Sequence, residues 1–346
     1  MLKQKTKGLF VEVNDYSVLA AVTSGLSAPL TIESVHEKSV NSNPEELEEF
    51  FGRFHEAKGR TYINAKCGIY PKSRFLRRTT LDSPAKARDP LYFSELVQSQ
   101  FRIDPELNMV AVINATDGTE FDIEKGAQNQ KELIFCGAGL EDLETTQEQL
   151  VGWGVYPERL ELGSMVTLGG LISYSKFKRN RLPTLVLEIT PSNSNIFIIS
   201  SNQVDIARPI PYGMNSMFPT IQKELGLKDE DSARKLFYSD TFDFTDMGPV
   251  LLQRLLKELQ ASTGFYEVQT GQTVGQVFIT LLPQNFHWIQ NTLARSLGVD
   301  VLPIDFPGWL KKLDLTPSSS VQFETLGTRW VGLFSLMGDY EEKIEG

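Results

Sequence analysis

Three histidines and two cysteines are the side chains of this 346-residue chain best suited to metal or nucleophilic chemistry, and their spacing supports neither. His36, His55 and His287 are scattered, no two of them share a helical turn, and no Cys-x-x-Cys occurs, so no zinc ligand set and no catalytic residue is expected. Cys67 and Cys136 read as buried thiols in a chain with ample core, not as a disulfide, which suits a cytoplasmic setting. One basic cluster stands out. Lys176, Lys178, Arg179 and Arg181 lie together before an apolar strand, either as a solvated linker or as a contact for anionic lipid headgroups at about 1 kcal/mol per basic residue.

The rest of the composition is that of a globular protein with no long disordered tract. Hydrophobic residues make up 41% and charged residues 23%, and the length is enough for two domains with real cores. A formal charge of −10 argues against nucleic acid as a partner, because that affinity comes from Lys and Arg neutralising phosphates. The opening MLKQKTKGLFVEV carries Lys3, Lys5 and Lys7 but no apolar stretch of signal length, and nowhere do eighteen apolar residues run together. No export signal and no membrane span are expected.

The elements that must position any site are organised around residues 185–213, LVLEITPSNSNIFIISSNQVDIARPIPYG. Its apolar, β-branched runs separated by Pro, Ser and Asn predict three antiparallel strands in succession. A second strand, turn, strand unit is predicted at 8–13 and 18–22, with a further extended piece at 30–40. Helices are predicted at 45–57, 93–101, 141–153, 165–174, 214–225, 229–237 and 250–270, and strands at 61–69, 75–80, 109–114, 131–138, 159–162 and 276–280. In the helix at 45–57, Leu47, Phe50, Phe51 and Phe54 share one face. In the helix at 250–270, the stripe Leu251, Leu255, Leu259, Ser262 and Tyr266 reads as core-facing. This order predicts mixed sheets flanked by helices.

The order of elements and several local stretches resemble the actin-like proteins of type IV pilus assembly, of the PilM type. The stretches are INAKCGIYPKSRFLRRTTLDSP at 63–84, KELIFCGAGLEDLETTQEQLVGWGVYPERLELGSMVTLGGL at 131–171, Arg208 and Gly213 in ARPIPYG, LLKELQASTGFYE, and VFITLLPQNFHWIQNTLARSLGVDV. The resemblance covers nearly the whole chain. It implies an α/β fold of two actin-like (ribonuclease H-like) domains, over 8–180 and 183–336, with an inserted α/β subdomain within 61–150 and an acidic tail at 337–346.

What the resemblance implies about chemistry turns on two hairpins. Actin-like ATPases cradle phosphates in two β-hairpin turns, each an Asp followed two residues later by Gly, so that bare backbone can approach the phosphate. The matching positions here are Glu12 and Asn14 in the first turn, completed by Ser17, with Leu19 where the family often carries a basic residue. In the second they are Glu188 and Thr190, completed by Ser192, with Pro191 removing an amide donor. The family's adenosine-side Gly-Gly falls on Leu281 and Leu282, followed by Pro283, where two bulky side chains would fill the space for base and ribose. No cofactor is therefore expected, although Glu12 and Glu188 keep acidic character that could serve Mg²⁺ through water.

By the same resemblance the chain is expected to be a cytoplasmic adaptor at the inner membrane. It would hold the short N-terminal cytoplasmic tail of a PilN-type membrane partner in a groove beside the inserted subdomain, and would contact other platform components and a second copy of itself. Tyr70, Arg74, Leu76 and Arg77 are the partner-binding candidates, although FLRRTT alternates as any half-buried strand does. The alternatives are an ATP-binding actin-like protein or kinase with a divergent site, and the cytoplasmic domain of a GspL-type secretion platform protein, which would continue into a membrane span where this chain ends in DYEEKIEG.

Overall fold

The computed structural model describes residues 7–54, 62–116, 118–126, 131–200 and 202–338. Lys3, Lys5, His55, the end of the helix expected at 45–57, and the acidic tail beyond Gly338 lie outside the described residues. Contacts divide the chain into two units: residues 7–179 with 305–326 and 330–338, and residues 180–304 with 327–329.

The first unit begins with β1 (Gly8–Val13), β2 (Ser17–Thr23) and β3 (Leu30–Ser39), each antiparallel to the one before. Helix α1 (Pro44–Gly52) follows, with Asn43 accepting from the Glu46 amide at 2.8 Å to cap it and Pro44 in its first turn. Strand β4 (Ile63–Ile69) then returns parallel to β1. The chain next builds a separate sheet from β5 (Phe75–Thr80), β6 (Asn108–Asn114) and β7 (Glu132–Gly139), in the spatial order β5-β7-β6, with α2 (Pro90–Phe101) packing Phe93, Leu96 and Val97 against Leu133 and Phe135. Helix α3 (Leu140–Gly152), strand β8 (Val155–Leu162) and helix α4 (Gly163–Lys178) return to the main sheet.

The face of that sheet bearing Leu9, Val11, Val18 and Cys67 is covered by Leu47, Phe50 and Phe51 of α1 and by Leu150 and Trp153, with Phe51 stacked on Trp153 at 5.9 Å. Strand β1 is buried on both faces, Glu12 included.

The second unit repeats the plan. Strands β9 (Thr184–Ile189), β10 (Ser194–Ile199) and β11 (Val204–Ile210) are antiparallel in succession. Helices α5 (Phe218–Leu225), α6 (Glu230–Tyr238), α7 (Gly248–Leu251) and α8 (Gln253–Thr270) follow, then β12 (Gln276–Thr280), parallel to β9, then α9 (His287–Leu297) and β13 (Asp300–Val301). The order β11-β10-β9-β12-β13 reproduces β3-β2-β1-β4-β8 strand for strand. The two hairpin turns, β1 to β2 and β9 to β10, therefore occupy equivalent places in the two units.

Three expectations need correction. The domain expected over 183–336 is too long, because α10 (Phe306–Lys312), β14 (Leu315–Pro317) and α11 (Val331–Met337) belong to the first unit. Strand β14 pairs with β3, and α11 packs on α4 and over β1, β2 and β4. The helix expected at 250–270 breaks at Leu252, which leaves helical geometry at φ −91° and ψ 3°, although its stripe from Leu251 to Tyr266 is buried as expected. The helix expected at 165–174 extends over Gly163–Lys178 despite Gly169 and Gly170, because Gly170 admits Ser335 of α11 so closely that a Cβ there would lie 1.9 Å from its Oγ.

Candidate functional site

The first hairpin turn is filled by its own side chain. Asn14 Oδ1 accepts from the backbone amides of Tyr16 and Ser17, each at 2.9 Å, and the Asn14 backbone N–H donates to Ser17 O at 3.0 Å. Asn14 Nδ2 donates to Glu12 Oε1 at 3.1 Å, which fixes which way the amide faces. Glu12, Asn14 and Ser17 are all buried. Glu12 is also approached by α11: a Cβ on Gly332 would lie 2.1 Å from Glu12 Oε2 and 2.9 Å from Thr167 Oγ1.

The second turn is filled in the same way by a hydroxyl. Thr190 Oγ1 accepts from the amides of Ser192 at 3.3 Å and Asn193 at 3.1 Å, and lies 3.0 Å from Asn193 O, to which it donates. Thr190 N–H donates to Asn193 O at 2.9 Å, as Asn14 does to Ser17. Glu188, two residues earlier, is buried and accepts from Asn195 Nδ2 at 3.3 Å. In both turns an oxygen two residues after a buried glutamate takes the amides two and three residues further on. These are Asx- and ST-type turns, in which a short polar side chain imitates the backbone.

The carbonyls of the second turn are also used. Met214 N–H donates to Thr190 O at 3.0 Å and Asn215 N–H to Pro191 O at 2.9 Å. Gly213 lies against the turn so tightly that a Cβ would sit 2.5 Å from the Ser192 carbonyl carbon and 2.6 Å from Asn193 N and Thr190 O. The glycine of ARPIPYG thus has a packing reason.

Three of the four partner-binding candidates, Tyr70, Arg74 and Leu76, have largely covered side chains. Tyr70 and Arg74 come together with the first turn: Tyr70 N–H donates to Val13 O at 3.1 Å, its hydroxyl meets Thr167 Oγ1 at 3.0 Å, and its ring packs on Gly163. The Arg74 guanidinium lies 5.1 Å from the Tyr70 ring centroid, donates to Tyr70 O at 3.2 Å and Pro71 O at 3.1 Å, and pairs with Asp15 Oδ2 at 3.6 Å. Leu76 is buried in the three-stranded sheet. Tyr70, Leu76 and the Arg74 side chain are thus largely enclosed by this chain's own residues. Arg77 is half-buried on β5, donates to Leu76 O at 2.9 Å, and burial lowers its pKa. Alternation along FLRRTT could not distinguish a covered face from an open one.

Two residues with roles were not singled out from the sequence. Asp15 puts a mostly buried carboxylate into the first turn, and desolvation raises its pKa against the pull of Arg74 and Lys72. Asn193 closes the second turn. The signal for both was local: Asn-Asp and Pro-Ser-Asn after a buried strand are turn chemistry.

Leu281 and Leu282 are buried, and Leu281 adopts φ 73°, the left-handed region that favours glycine. A leucine in that backbone conformation carries about 1 kcal/mol of strain. Cys67 and Cys136 are free and buried, their thiols pushed up to about 12 and about 11 by desolvation, so they are unreactive. Lys178 closes on Asp305 at 2.7 Å, and Lys176 and Lys178 sit in the last turn of α4, where cations suit the helix dipole. Among the described residues no cluster of His, Cys, Asp and Glu could hold a metal, and no helix is long and apolar enough to cross a membrane.

Two units with one strand order, each opening on hairpins followed by a parallel strand, define an actin-like α/β fold. That fold is shared with a solved PilM-PilN type IV pilus biogenesis complex, at a TM-score of 0.67 and 15% identity over 96% of this chain and 98% of that one. The chain thus resembles PilM-type proteins across its whole length. A Bacteroides thetaiotaomicron protein with actin-like ATPase fold is similar at a TM-score of 0.46 (13% identity, 89% of this chain, 97% of that one). The cytoplasmic domain of EpsL, an inner-membrane component of the Vibrio cholerae type II secretion system, is similar at 0.40 (11%, 81% and 84%), and both likenesses are too distant to carry a functional argument. No family model and no curated protein matches the sequence.

Proposed function

We propose that this chain is a cytoplasmic adaptor of a type IV pilus or related inner-membrane assembly platform, and that it binds the short N-terminal tail of a PilN-type membrane partner without hydrolysing ATP. The observation that carries the reading is the likeness to the PilM-PilN complex over nearly the full length of both chains. The filled turns support its second half. Backbone amides that could face an anion already have acceptors at Asn14 and Thr190.

With Tyr70, Arg74 and Leu76 built into the fold, the tail's seat moves to the outer edge of β5, which pairs with β7 on one side only within its sheet. An extended peptide can add there as a further strand, held by main-chain hydrogen bonds, with Arg77 beside it. Isothermal titration tests both halves. Titration with ATP and Mg²⁺ is expected to give no heat, and titration with a synthetic N-terminal tail of the neighbouring inner-membrane protein is expected to give micromolar binding, weakened by Arg77→Glu. Tight ATP binding would put a nucleotide-switched protein in place of the adaptor, and no tail binding would remove the partner.

A further inference from the structure

The two turns hold the strongest unexplained regularity in the molecule. Each follows a buried glutamate, each lies at the same place in its unit, and each has one side-chain oxygen on two successive amides: Asn14 Oδ1 on Tyr16 and Ser17, Thr190 Oγ1 on Ser192 and Asn193. Successive amides pointing into one concavity are what makes a backbone nest for an anion. An oxygen of neutral charge already stands in each nest.

We infer that Asn14 and Thr190 act as built-in substitutes for phosphate oxygens, closing two latent anion nests from the inside. The inference rests on the nucleotide-free reading above and supplies its physical cause. Replacing one well-made hydrogen bond by another in water yields little net free energy, so a phosphate would have to displace an acceptor that is covalently tethered and already aligned. The second turn is closed further, since Pro191 offers no amide at all.

Inorganic triphosphate with Mg²⁺ is the right probe, because it has no base or ribose to meet Leu281 and Leu282. Isothermal titration is expected to give no heat with the unaltered protein, with Asn14→Asp or with Thr190→Ser, all of which keep an oxygen in the turn. Asn14→Gly, Thr190→Gly and the pair are expected to bind, each freed turn raising affinity roughly tenfold or more over the oxygen-bearing variant. Folded glycine variants, with circular dichroism and melting like the parent, that give no heat would overturn the inference while leaving the adaptor reading intact. Should the glycine variants fail to fold, amide hydrogen exchange in the unaltered protein decides. Tyr16, Ser17, Ser192 and Asn193 are expected to be protected without ligand and unchanged by triphosphate, and rapid exchange or added protection would sink the idea. ATP binding by the unaltered protein would instead remove the adaptor reading itself.

Discussion

The first and second hairpin turns solve one problem with different materials. Asn14 fills the first turn with an amide and Thr190 fills the second with a hydroxyl, yet both take the amides two and three residues on. The turns differ in what holds them from behind. Behind the first, besides backbone bonds from Val40 N–H to Tyr16 O and Tyr70 N–H to Val13 O, the close contacts are made by side chains: Asp15 on Arg74, Asn14 on Glu12, and Glu12 under Gly332. Backbone braces the second, through Thr190 O, Pro191 O and the close approach of Gly213. Side chains can swing aside and backbone cannot, so the second turn is the more brittle of the two.

The largest expected effect breaks the backbone brace. Gly213→Ala puts a Cβ within 2.6 Å of three main-chain atoms of the turn, none of which can rotate away. A loss of about 3 kcal/mol in urea unfolding is expected, at the upper end of ordinary overpacking costs. Gly332→Ala meets the Glu12 carboxylate at 2.1 Å, which can shift, and an alanine favours helix α11 by about 1 kcal/mol over glycine. Its expected cost is about 1–2 kcal/mol. If Gly332→Ala proves the more damaging, the distinction between the two braces is wrong.

Removing the fillers ranks next. Asn14→Ala strips acceptors from two amides and the donor from a buried glutamate, at an expected cost of about 2 kcal/mol, against about 1 kcal/mol for Thr190→Ala, whose turn keeps its backbone brace. Equal costs would mean that the Glu12 contact contributes nothing. Tyr70→Phe removes the hydroxyl contact to Thr167 and is expected to cost about 1 kcal/mol, read from the same unfolding curves.

Most of this architecture was legible in the sequence wherever local pattern decides it. The three strands of residues 184–210 follow from β-branched runs between Pro, Ser and Asn, and α1 follows from its Phe stripe and Asn-Pro start. What local pattern could not supply was pairing at a distance. Nothing in residues 305–338 announces that β14 will pair with β3, or that α11 will cover β1, and Gly170 weakens α4 as a helix until Ser335 is known to fill the space beside it. Glu12 and Asn14 in the first unit, and Glu188 and Thr190 in the second, lie buried at equivalent hairpin turns. Their consequence was only half visible: the missing glycine could be read, but not that its replacement would turn inward and take the amides. Tyr70 and Arg74 show the same limit, since no local pattern in the connection between β4 and β5 announces that Gly163, Thr167 and Asp15 will lie against them.

The smallest expected effect separates the turns by pH. Thr190, Pro191, Ser192 and Asn193 carry no titratable group, whereas the first turn carries Asp15, whose pKa is raised above 3.8 chiefly by burial. A carboxyl that holds its proton more tightly when folded stabilises the fold below its ordinary pKa and loses that contribution as pH rises through the raised value. Above that window the buried carboxylate is a mild liability, only partly offset by Arg74 at 3.6 Å. Asp15→Asn is therefore expected to leave stability near neutral pH within about 0.5 kcal/mol of the parent. It should also flatten the fall in stability just above the ordinary carboxylate range, since Arg74 stays anchored on Tyr70 O and Pro71 O. Urea midpoints measured from about pH 4 to about pH 7 give the slope directly. An unchanged slope in Asp15→Asn would assign the pH dependence to other carboxylates and leave the two turns alike in this respect.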